Sequence, residues 1–86
     1  MNILVQGGKA LVNYDNVASL YVQEVYRQYT HPDKWWEIRA MYTMVSDDIV
    51  YDTVATFSNE EDCVKSFKEL VRKICERKSS TIAVDN

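Results

Sequence analysis

The chain has very few residues that interrupt regular structure. Its only glycines are Gly7 and Gly8, side by side, and its only proline is Pro32. That scarcity excludes collagen-like, Pro-rich and Gly-rich linker compositions. A phosphate loop is also excluded, because Gly7-Gly8-Lys9 lacks the full spacing and no helix follows the lysine. Histidine is limited to His31 and cysteine to Cys63 and Cys75. One histidine and two distant cysteines cannot supply a four-ligand metal site. The cysteines fall in one predicted helix, separated by about 18 Å along its axis, beyond disulfide reach. Both lie on its apolar stripe, where buried reduced thiols are expected.

Basic charge is scarce too. Ten Lys and Arg stand against 13 Asp and Glu, a net charge of −3. Non-specific nucleic-acid binding needs clustered cations to neutralise phosphates, so this balance argues against it. There is no apolar run of transmembrane length, and Met1-Asn2-Ile3 does not open a signal peptide. A cytoplasmic protein without membrane contact is the resulting expectation. No serine or cysteine has a recognisable base partner in sequence. Asp47-Asp48 reads as a solvated turn rather than an acid–base pair. We therefore expect no enzyme activity, no cofactor, no metal and no small-molecule substrate.

What is present is a chain of 86 residues, 47% hydrophobic and 27% charged, the composition of one small globular domain. A core of that size is close to marginal, and oligomerisation is a common remedy. The best-specified stretch is Phe57–Lys78. Ser58 followed by Glu61 fits a capping box. Glu60, Glu61 and Asp62 complement the positive end of the helix dipole, and Lys73, Arg77 and Lys78 the negative end. Cys63, Val64, Phe67, Leu70, Val71, Ile74 and Cys75 recur at helical spacing, with Phe67 central. Glu61–Lys65 and Glu69–Lys73 are i,i+4 ion pairs in the favourable order. The mixed charge of the polar face points to packing on a sheet rather than on a membrane.

Upstream the pattern is β. Ile3–Gln6 and Lys9–Val12 flank a two-residue Gly7-Gly8 loop, which pairs them as a hairpin. That register puts Ile3, Val5, Ala10 and Val12 on the core face. Residues 17–29 fit both a strand and a helix, and the density of Val and Tyr favours the strand. Trp35–Val45 and Ile49–Phe57 read as further strands. The fold expected for residues 1–86 is a single α+β domain. Residues 1–57 form an antiparallel β-meander of about five strands, residues 58–78 a C-terminal amphipathic helix across one face, and residues 79–86 a tail or short edge strand.

Two resemblances accompany this reading. Tyr26-Arg27-Gln28-Tyr29-Thr30-His31-Pro32-Asp33-Lys34 is similar to the His-Pro-Asp signature of J-domain co-chaperones. In that family a basic helix precedes the motif, which stimulates a chaperone ATPase. Here the preceding segment has one arginine and no lysine, and Trp35-Trp36-Glu37-Ile38 follows without the family's long loop. More broadly, Asn16–Val22 after a short hairpin and Ala55–Glu61 opening a terminal helix resemble small uncharacterised proteins of Gram-positive bacteria and their phages. That resemblance implies a β-meander followed by one helix and a phage or mobile-element setting. It transfers no site residues.

A short turn over His31-Pro32-Asp33 would place Tyr29 opposite Trp35 and Arg27 opposite Glu37. Tyr21, Val25, Arg27, Tyr29, Trp35, Glu37, Arg39 and Met41 then share the face away from the helix. Tyr, Trp, Arg and Met on one face is the composition of a protein contact. The function expected is a non-enzymatic protein-interaction or self-assembling module. A homo-oligomer that packs these faces together is one form of it. A J-domain-like co-chaperone using His31-Pro32-Asp33 is the alternative. Another is a single-stranded nucleic-acid binder stacking bases on the aromatic face, which the cancelling charges disfavour.

Overall fold

The structure, a computed structural model, describes residues 1–26, 34–42, 50–76 and 81–84. The chain runs β1 (Asn2–Leu4), β2 (Leu11–Asn13), a 3-10 turn over Tyr14–Asn16, β3 (Val17–Tyr26), β4 (Lys34–Tyr42), β5 (Tyr51–Phe57), α1 (Glu60–Glu76) and β6 (Thr81–Ala83). The α+β class with a C-terminal helix on sheet is as expected, but the strands do not form one meander. They make two three-stranded sheets, ordered β2-β1-β6 and β3-β4-β5.

The division falls at Asn13. Its side chain accepts from the Asp15 N–H at 3.1 Å, starting the 3-10 turn. This local hydrogen bond offers the backbone an alternative to the ladder, and β3 leaves without pairing to β2. The vacant edge of β1 is taken from the far end of the chain. β6 pairs with it in parallel, Ile3 opposite Ile82, so the tail is an edge strand as far as Ala83.

The β1–β2 hairpin keeps the expected register, with Ile3 opposite Val12. Gly7 and Gly8 both take positive φ, 87° and 71°, which glycine adopts without steric penalty. The tip is wider than a two-residue loop. Val5 donates to the Ala10 carbonyl at 2.9 Å, and Gly8 donates to Val5 at 2.8 Å. Ile3 and Val12 are buried, Val5 is half-buried, and Ala10 is exposed at this wider tip.

β3 settles the strand-or-helix ambiguity as strand through Tyr26. It pairs with β4 so that Val25, not Tyr29, lies opposite Trp35, and Gln23, not Arg27, lies opposite Glu37. The slip from the expected register is by an even number of residues, so each side chain keeps its face. The last described pair before the break is Tyr26 opposite Lys34, with residues 27–33 between them in sequence. Those residues, with Arg27, Tyr29 and the His-Pro-Asp motif, lie outside the described ones, as do Asp47 and Asp48. The segments on either side of the motif are strands, whereas the J-domain resemblance implies a helix before it.

α1 begins later than Ser58. Asn59 is the cap: its Oδ1 accepts from the Asp62 N–H at 2.8 Å, and its Nδ2 donates to the Asp62 carboxylate at 2.9 Å. Asn outranks or equals Ser at this position, and the cap moves one residue along. The buried line is Cys63, Ser66, Leu70 and Ile74, with Phe67 half-buried beside it. Cys75 is exposed, contrary to expectation, because it falls a further step around the helix from Ile74. On the polar face Arg72 bonds both Glu69 and Glu76, and Lys73 reaches the Ala83 carbonyl at 3.3 Å.

One core joins all of this. Ile3, Val12, Ile82 and Val84 come from the first sheet, Trp36, Ile38, Ala40, Val54 and Ala55 from the second, and Cys63, Leu70 and Ile74 from the helix. The sheets are also tied through Gln6. Its N–H donates to the Val54 carbonyl at 2.9 Å, and its side-chain oxygen accepts from the Thr56 N–H at 2.9 Å. A single glutamine thus takes two backbone groups on the outer edge of β5.

Candidate functional site

The helix covers one face of β3-β4-β5 and leaves the other open. On the open face β3 contributes Ser19, Tyr21, Gln23 and Val25, and β4 contributes Trp35, Glu37, Arg39 and Met41. Of the eight residues expected there, the structure brings together Tyr21, Val25, Trp35, Glu37, Arg39 and Met41. Arg27 and Tyr29 lie outside the described residues.

β5 completes the face by an irregularity. Ile38 pairs with Ala55 but Arg39 pairs with Thr53, which leaves Val54 as an extra residue. The bulge turns Val54 and Ala55 both toward the core, at 0% and 2% exposure. It also restores the alternation on the other side, so Thr53 and Tyr51 stand beside Arg39 and Met41. Tyr51 and Thr53 are the site residues that sequence reasoning missed. The only available signal is the consecutive apolar pair Val54-Ala55 inside an otherwise alternating strand.

Glu37 organises the face. Its Oε2 accepts from Trp35 Nε1 at 2.8 Å. Its Oε1 accepts from Arg39 Nε at 2.9 Å and from Thr53 Oγ1 at 3.1 Å. Arg39 lies over the Tyr51 ring, 4.3 Å from guanidinium carbon to ring centroid, a cation–π arrangement. Although this is the open face, the Glu37 side chain is only 14% exposed and that of Arg39 only 16%. Burial alone would raise the Glu37 pKa. The hydrogen bonds from Trp35, Arg39 and Thr53 outweigh it and hold the carboxylate below its ordinary range. So held, Glu37 is ionised at neutral pH and already accepts from three donors, a poor general acid or base.

The chemical capacity of the face follows. Trp35, Met41, Val25, Tyr21 and Tyr51 supply apolar and amphipathic area. Their polar atoms near the centre are bonded internally, and no net charge is left over from the Glu37–Arg39 pair. Among the described residues of these strands, Arg39 is the only cation on this face. Its charge is paired with that of Glu37.

Elsewhere the described residues hold no group of three or more His, Cys, Asp or Glu placed to share a metal ion. Among them no helix is long and apolar enough to cross a membrane. Compared with protein-family models, curated proteins and solved structures, the chain matches none.

Proposed function

We propose that this chain is a non-enzymatic protein-interaction module whose contact surface is the open face of β3-β4-β5. The observation that carries the reading is the Glu37 network. Three donors from two strands converge on one carboxylate and fix Trp35 and Arg39 in place before any partner arrives. Side chains that are already ordered lose little entropy on docking, and that saving goes directly to affinity. Trp, Tyr and Arg are also the residue types that dominate contact energies. The face mixes these aromatic side chains with the paired charges of Glu37 and Arg39. That suits a contact which forms and dissociates, since obligate interfaces are more hydrophobic. The setting implied by the hairpin and capped-helix pattern is a phage or mobile element, and the occupant is another protein of that setting.

The test is oxidative footprinting of Trp35, Met41 and Tyr51 in the purified protein and in the source cell's extract. Protection of these three in the extract is expected, and Trp35→Glu should weaken capture of the protecting protein by about tenfold or more. Unchanged reactivity of all three in the extract would sink the reading.

A further inference from the structure

The four sheet edges are treated very differently. β2 and β6 are three residues each, too short to template another chain. The outer edge of β5 is occupied by Gln6 through both its backbone and its side chain. β3 is ten residues long and ends its sheet, with no strand on its outer side among the described residues. It has few of the usual defences of an exposed edge, one irregularity and one charge, Glu24. It has no proline and no lysine, and its single irregularity lies near the start, between Val17 and Ser19. From Ser19 to Tyr26 the pairing with β4 is regular.

We propose that β3 pairs with β3 of a second copy, antiparallel about a two-fold axis, to join two β3-β4-β5 sheets into one. The edge itself specifies the class of occupant. A row of alternating N–H and C=O groups is matched group for group along its length by another extended strand. Three points favour a second copy. Leu20 and Val22 pack against the core but remain half-buried at its open side. In a two-fold pair with both helices on the same side, these rows meet their counterparts and the two cores become continuous. Glu24, the only charge on β3, does not prevent this. It bonds Lys34 within its own chain at 3.4 Å, and it opposes its own copy only if the axis passes through it. Finally, the two-fold arrangement is self-complementary and closes at two copies, leaving no free long edge.

This contact is distinct from the open face and places two such faces side by side in one surface. Edge pairing buries less than a standard interface, so dissociation in the micromolar range is expected.

Sedimentation equilibrium over a range of concentrations tests the association, and amide hydrogen exchange tests its geometry. The wild type should be a dimer at high micromolar concentration, with β3 amides that do not bond β4 becoming protected as concentration rises. Val22→Lys should give a folded monomer. At an unpaired edge the lysine stem lies over the core and the ammonium passes the edge into water, an exit the partner strand closes. Val22→Met, of similar reach and uncharged, should keep the dimer. Trp35→Glu, on β4 and on the other face, should also keep it while losing any partner of the open face. A monomer at every concentration overturns the proposal. So does a dimer whose β3 amides exchange as they do in the monomer, which would place the contact on the open face.

Discussion

Individual side chains in this small fold differ sharply in reactivity for reasons that are local. Cys63 is fully buried and Cys75 exposed, and burial, with Glu60 nearby, pushes the Cys63 thiol up in pKa. A thiol reagent should modify Cys75 at once and Cys63 only after unfolding. Equal rates in the native protein would contradict the helix orientation. Tyr42 is pushed up to about 12 from its ordinary value of 10, by burial first and then by the Asp52 carboxylate that accepts its hydroxyl. A group raised in the folded state contributes stability that is fully present below its unfolded pKa. That contribution is lost as the pH climbs through the folded value. Ultraviolet titration should show one tyrosine ionising near the end of the series, and Asp52→Asn should move it to lower pH. Glu37 has the opposite sign. Its depressed pKa contributes stability above the unfolded value, lost as pH falls through the folded one. Arg39→Met should cost about 1–3 kcal/mol, raise the Glu37 pKa in a carboxylate NMR titration, and shift acid unfolding to higher pH.

At the scale of an element, the helix gives the cleanest contrast. Asn59→Ala should cost about 1 kcal/mol, the usual loss for a cap, while Ser58→Ala, exposed and one residue too early, should cost next to nothing. Leu70 is 1% exposed and Phe67 only half-buried. Leu70→Ala should therefore fall in the range of about 2–5 kcal/mol for emptying a packed site, with Phe67→Ala below it. Urea unfolding of the four variants measures all these differences. A larger loss from Ser58→Ala than from Asn59→Ala would reverse the cap assignment. The helical period was plain in the sequence. The phase of the buried line was less so: seven apolar residues span more of the helix than a sheet can cover, and only the sheet decides that Val71 and Cys75 face water.

For the whole molecule, the element least visible in sequence closes the fold. β6 supplies Ile82 and is followed by Val84, both in the core, and it joins the two ends of the chain through β1. Ile82→Ala should cost about 2–5 kcal/mol. The same loss as an exposed control such as Ala83→Ser would show that the tail does not pack. Such a dependence follows from size. In a chain of 86 residues each buried side chain is a large share of a small net stability.

The sequence by itself determined what depends on neighbours along the chain. Gly7-Gly8 set the first hairpin and its register, the alternation of β3 and β4 sorted Tyr21, Val25, Trp35, Glu37, Arg39 and Met41 to one face, and the 3.6-residue period set the helix. These are short-range, steric and periodic constraints, and they survive an even slip in strand pairing. Tertiary structure alone decided what depends on length, competition and distance. The Val54 bulge brings Thr53 to Glu37, the Asn13 side chain diverts the chain into a second sheet, Gln6 closes one edge of β5, and Ile82 finds Ile3 from the opposite end of the chain. Each is a choice between partners of similar local merit. Such choices are made by whether the assembled core is filled and its polar groups are satisfied, and no window of sequence contains that comparison.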